Sequence, residues 1–167
     1  MNNKITLELT PEQYEMVKKQ LECQEVEKLK KSPFDRTDKG EKYYCISCNG
    51  NISKDIEIKT KKDSQCYETA NYCTDRDLLQ QQAYRETLNR LLWRFSMQNG
   101  GDKIDWENNE QYKYYIYKNY MSNSLQLDVM CHSKDVLAVY FVSREIAQRA
   151  IDEIIKPFCE NHPDFEF

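Results

Sequence analysis

Three apolar-rich runs within residues 111–157, separated by short turn signals and followed by an amphipathic stretch, restrict this chain more than any other feature. Residues 112–119 are dense in Tyr and Ile, side chains that fit a pleated, half-buried surface. Counting by twos, Tyr112, Tyr114 and Ile116 share one face, and Lys113, Tyr115 and Tyr117 share the other. Both faces are largely aromatic or apolar, which predicts a central strand covered on both sides. Residues 121–124 read as a turn. Leu125, Leu127, Val129 and Cys131 then alternate with Gln126, Asp128, Met130 and His132, the pattern of a strand with one buried and one wet face. After a second turn at 133–135, residues 136–142 form a continuous apolar run, expected of a strand with little solvent on either side. Ser143 is placed to cap a helix through its hydroxyl. Ile146, Ala147, Ala150, Ile151, Ile154 and Ile155 recur there at helical spacing. Burying each Ile contributes about 1.5–3 kcal/mol, so this face must pack on the sheet. Pro157 is expected to end or kink the helix, and residues 162–167 to form a loose tail.

The upstream half reads as a supplement to that unit. Ile5, Leu7 and Leu9 alternate with polar neighbours, predicting a short strand over 4–9. Thr10, Pro11 and Gln13 form a helix start, with a helix to about Lys30. Tyr14, Val17 and Leu21 give it a narrow apolar stripe, expected to pack on the body or on a partner helix. Residues 32–40 are polar and turn-rich, a candidate linker. The domain plan is therefore a strand–helix appendage at 1–31, a linker at 32–40 and an α+β domain at 41–167. Within it, residues 41–47, 55–59 and 65–72 read as a meander, with Asn49-Gly50 as a tight turn. Thr74 to Asp77 has capping-box form and opens a helix to about Gln98. Tyr84, Leu88, Leu91, Leu92 and Phe95 mark its buried face, and Asn99-Gly100-Gly101 stops it. The fold expectation is α+β: antiparallel sheets packed with two core helices, behind an N-terminal appendage.

Charge and composition narrow the function. The formal net charge of −4, from 24 basic and 28 acidic side chains, opposes a general DNA-coating role. No run approaches membrane-span length, and the N-terminal MNNKITLELT lacks the apolar core of a signal peptide. The expectation is a cytosolic protein whose seven cysteines are mostly reduced. Cys45 and Cys48 have the spacing of a zinc knuckle, with Cys66 and Cys73 following. On one regular strand Cys45 and Cys48 would face opposite sides, so buried thiols are expected and no metal or other cofactor. Cys131 and His132 are adjacent, which on a strand also points them apart, and no P-loop, GxSxG or paired-His motif is present. No catalytic residues are assigned. The Lys113–Lys118 run mixes aromatics with bases as single-strand stacking surfaces do, which keeps nucleic-acid or nucleotide binding open. Twelve Tyr favour recognition surfaces, because each offers area plus a polar tip. Candidate binding residues are Trp106, in the connector 102–110, with Tyr112, Tyr117, Gln126 and Asp128 on the sheet.

Residues 112–154 also resemble the C-terminal region of small accessory proteins encoded by bacteriophages and prophages of Firmicutes. There a KYYIYY strand precedes a strand ending near Asp-Val, and then VYFxSxEIAQxAIDEI. The matching residues here are 113–117, 127–129 and 139–154; 104–106 and 67–72 resemble further landmarks, so the likeness covers about 40–157. The resemblance implies a non-enzymatic protein of the host bacterial cytoplasm. It implies binding and inhibition of a bacterial antiviral defence protein, such as a CRISPR-Cas effector. The alternative is a nucleotide- or nucleic-acid-binding module, including a sponge for a defence signalling nucleotide. A homodimer is compatible with either.

Overall fold

The computed structural model describes residues 10–28 and 32–167, with the backbone alone for 20–28. The strand expected at 4–9 lies outside the described residues. Helix α1 spans Pro11–Lys28. Its start is the reciprocal box foreseen: the Gln13 amide donates to Thr10 Oγ1 (3.3 Å) and the Thr10 amide to Gln13 Oε1 (3.0 Å). Tyr14, Met16 and Val17 are exposed, so the visible part of its stripe is not packed on the body.

The segment 32–40 is fastened to the fold. Thr74 donates its amide to the Pro33 carbonyl (2.8 Å), and Thr37 is buried against the Tyr72 hydroxyl. Arg36 makes a two-point ion pair with Glu57, whose side chain is fully buried (Nε–Oε2 2.9 Å, Nη2–Oε1 3.2 Å). β1 (Lys42–Ile46) and β2 (Ile52–Ile56) then form an antiparallel hairpin. Gly50 in its turn has φ +85°, a left-handed conformation that side chains disfavour.

The strand expected over 65–72 does not form: residues 65–68 end a helix and 69–72 are turn and irregular chain. α2 runs Lys61–Glu68, opened by Thr60 and Asp63 in a capping box. Only Cys73, just beyond it, pairs beside β1, exchanging two backbone bonds with Tyr44. α2 closes a small polar-edged core in which Tyr43 stacks on Tyr72 at 4.1 Å. Asp63, 2% exposed, accepts from the Tyr43 hydroxyl and the Thr60 and Ile58 amides. These bonds, the Thr60 amide foremost, hold its carboxyl far below the usual range, and burial and Asp63 push the Tyr43 phenol up.

α3 (Arg76–Gln98) is capped by Asp75 rather than Thr74, its carboxylate accepting the Asp77 and Leu78 amides. Its buried face carries Leu79, Ala83, Leu88 and Phe95, with Tyr84, Leu91 and Leu92 packed alongside, and it ends at Asn99 before Gly100 at φ +90°. Beyond a short 3-10 turn and the connector come β3 (Lys113–Asn119), β4 (Ser124–Met130) and the two-residue β5 (Tyr140–Phe141). Their order is β4-β3-β5, all antiparallel.

β3 is central, as expected, but covered on one side only. Tyr114 and Ile116 meet α3 and the closing helix with Leu127; Tyr115 and Tyr117 look outward. The run 136–142 is mostly not strand. Val136 and Leu137 are 93% and 84% exposed, because the Asp135 amide is held by the Tyr140 hydroxyl and the chain joins the sheet only at Tyr140.

Ser143 caps α4 (Arg144–Ala150), accepting from the Ile146 amide. The helix does not stop at Pro157. It widens into a π turn at Ile151–Ile155, where the Lys156 amide reaches back to the Ile151 carbonyl, and continues as α5 (Lys156–Asn161). The wide turn absorbs the missing donor and ring bulk that proline brings to a helix. The tail is docked as well. Phe165 and Phe167 pack beside Leu88, Ile155 and Phe158, and Gln81 bonds the backbone of Asp164 and Glu166. The α+β class thus holds, with two antiparallel sheets sharing α3.

Candidate recognition face of the three-stranded sheet

The outward face of β4-β3-β5 follows from strand alternation. Register sets Tyr140, Tyr115 and Asp128 in one row and Tyr117 opposite Gln126 in the next. The rings run on as a chain of neighbours. Tyr117 lies 6.2 Å from Tyr115, Tyr115 lies 5.8 Å from Tyr140, and Tyr140 meets Trp106 edge-on at 4.8 Å. Polar tips are aimed by their cross-strand partners: the Tyr117 hydroxyl donates to Gln126 Oε1 (2.6 Å) and the Tyr115 hydroxyl to Asp128 Oδ2 (3.3 Å). Burial first, then the Asp128 carboxylate, raises the Tyr115 phenol, so it stays a protonated donor. Asn119 adds a second donor to Gln126.

Four of the five sequence candidates therefore converge: Tyr117, Gln126 and Asp128 on the open face and Trp106 at its β5 end. Tyr112 does not join them. It precedes β3 in the parity of the helix-facing Tyr114 and Ile116, although its own ring is exposed.

At the β5 end two lysines approach Trp106, one from inside the fold and one from its surface. Lys113 is fully buried, its ammonium donating to the Asn108 carbonyl (2.6 Å) and the Cys131 carbonyl (3.4 Å) and lying 5.5 Å from the Trp106 ring. Lys134 sits 5.1 Å from the same ring. Trp106 borders a recess of about 160 Å³ shared with Trp93, Met97, Lys134 and Tyr140. Trp93 is 60% exposed, and Met97, Val136 and Leu137 are also exposed. Asn89 ties the Leu137 carbonyl to α3.

Sequence reasoning missed Tyr140, Trp93 and Lys134 as site residues, and held Lys113 and Tyr115 only as part of the 113–118 run that kept nucleic acid open. Tyr115 was readable from its alternation with Tyr117. Trp93 was readable too, since it falls off the Leu88–Leu92–Phe95 stripe. Tyr140 and Lys134 depend on how residues 131–139 loop back, which no local pattern states.

Cys45 lies buried on β1 and Cys48 exposed in the hairpin turn, while Cys73 is buried. Among the described residues no group of three or more His, Cys, Asp or Glu is placed to hold a metal ion. No helix among them is long and apolar enough to cross a membrane. Compared with protein families, curated proteins and solved structures, the chain finds no match. The face offers rigid aromatic area, fixed hydrogen-bonding tips and a corner where Lys134 stands by Trp106, which are means of recognition.

Proposed function

We propose that this protein acts by binding another protein through the outward sheet face and the Trp106 corner. Its partner in this reading is a component of bacterial antiviral defence, such as a CRISPR-Cas effector, which it inhibits by occupying a working surface. It does so in the host bacterial cytoplasm and without chemistry of its own. The observation that carries the binding reading is the pair Trp93 and Met97, both exposed and lining one recess with Trp106. Exposed apolar patches rimmed by polar groups mark interaction sites, and Trp is a favoured anchor. The defence setting rests on the phage-type resemblance of residues 112–154.

The test is phage plating on a bacterium with active CRISPR immunity that expresses the wild-type chain or folded Trp106→Ala, Trp93→Ala and Tyr117→Ala variants. Wild type is expected to restore plaques, and the variants to restore fewer. Plaque counts unchanged by the wild-type chain would remove the inhibitor reading for that system; equal rescue by all variants would remove this surface. One observation favours a second reading, nucleotide binding: the exposed Lys134 stands with its ammonium 5.1 Å from the Trp106 ring. Release of a nucleotide on heating the purified protein, with salt-sensitive rebinding, would select that reading instead.

A further inference from the structure

β4 is an open edge. The order β4-β3-β5 leaves it paired on one side only, over seven residues, with an uninterrupted register against β3. Such an edge presents a row of free amides and carbonyls, a template for another strand unless proline, a bulge or several charges block it. β4 has no proline and no bulge, and its one charge is Asp128. The outward groups can be located. The Val129 amide is taken by its neighbour's carboxylate, Asp128 Oδ1, at 2.8 Å, so it is not committed to β3. Antiparallel alternation then turns the amides and carbonyls of Leu125, Leu127 and Val129 away from the sheet.

We infer that a second copy of this chain adds to this edge, β4 against β4 about a two-fold axis through Leu127. The argument is one of register. A two-fold antiparallel pair must match each residue with its mirror about the axis. Centred on Leu127, all seven residues overlap, Leu127 faces its own copy and Leu125 faces Val129. Those are the residues with outward groups, so every facing pair of them hydrogen-bonds once the Val129 amide exchanges Asp128 Oδ1 for the carbonyl it faces. The same register sets Asp128 opposite Gln126 of the partner subunit. Centring on Asp128 would oppose two carboxylates, and centring on Gln126 would shorten the in-strand overlap. The product is a six-stranded sheet that carries the aromatic face twice, side by side.

Sedimentation equilibrium of the full chain reads the outcome directly. The expected result is a concentration-dependent rise from 20.0 kDa toward twice that mass. Val129→Pro removes an amide that β3 does not use and should hold the chain at monomer mass, with its circular dichroism intact. Two further variants test the register without relying on that proline. Gln126→Glu opposes like charges twice over and should weaken dimerisation about tenfold, while Gln126→Lys should tighten it by a similar factor. Monomer mass at every concentration overturns the inference. So does a dimer that Val129→Pro, folded, leaves unchanged, or one indifferent to charge at position 126.

Discussion

Replacing Arg36 with Met should be among the more damaging changes outside the apolar core. Glu57 has no exposed side-chain surface, and Arg36 supplies two of its hydrogen bonds, at 2.9 and 3.2 Å. The Lys59 amide and the Tyr72 hydroxyl would remain, at 2.8 and 3.2 Å. Stripping one partner from a fully buried pair costs about 3–5 kcal/mol. Arg36 keeps 27% of its side chain in water, which screens the pair, so a loss of about 2–3 kcal/mol is the working figure. For a chain of this size that lowers Tm by roughly 4–12 °C. The sign of the pH dependence gives a second readout. Arg36 holds the Glu57 carboxyl below its ordinary value. Its contribution is therefore fully present above the unfolded-state pKa of about 4.3 and is lost as pH falls through the folded value. In Arg36→Met the carboxylate is less supported, so this part of the acid sensitivity should shrink. Urea unfolding of both chains across the acid range measures both effects. The double variant Arg36→Met/Glu57→Met should recover part of the loss, because no charge is then left buried alone. A single-variant loss below about 0.5 kcal/mol, the size of an ordinary surface change, would refute the reasoning.

Phe141→Ala should destabilise by about 3–5 kcal/mol in the same assay, since the ring is 1% exposed between α3 and α4. Asp75→Ala removes the acceptor of two α3 amides and should cost about 1 kcal/mol, whereas Thr74→Ala should cost less because Thr74 is not the cap. Thiol titration should find Cys48 the fast-reacting group among the described cysteines, with Cys45 and Cys73 modified only on unfolding. Burial raises both of those thiols, which lowers their thiolate fraction as well as their access.

Where local chemistry and tertiary packing agree, the chain could be read directly. Ser143 as a cap and the α3 stripe stand as the residue pattern implied, whereas the β4 alternation holds at Leu127 against Asp128 and fails at Val129, which is exposed. The errors share a cause: apolar content was given more weight than the signals that bound it. Residues 65–72 contain strand-forming Tyr and Thr, yet the box of Thr60 and Asp63 just upstream commits residues 61–68 to a helix. Residues 136–142 are apolar, yet β3 offers β5 only the partners Tyr114 and Tyr115, so Val136 and Leu137 have no ladder to join. At Pro157 the expectation is an end or a kink: the end does not occur, and the distortion takes the form of the π turn at Ile151–Ile155 just before it. Of the candidate site, Tyr117, Gln126 and Asp128 were legible because alternation and pairing place them. The Trp106 corner was not, because it joins residues from three separated segments.

Gln81 carries a different kind of lesson about the tail. Its side-chain amide donates to the Asp164 carbonyl and accepts from the Glu166 amide, at 2.7 and 2.8 Å. A single side chain thus imitates the peptide unit of a neighbouring strand. What it recognises is main chain: a carbonyl at 164, which every residue provides, and an amide at 166, which every residue but proline provides. That part of the docking is therefore written in the helix, beside the part that Phe165, Phe167 and the Asp164 carboxylate, an acceptor from the Tyr84 hydroxyl, write in the tail. Drift in the identity of residues 164 and 166 should leave that pair of bonds in place, while one change at Gln81 erases both.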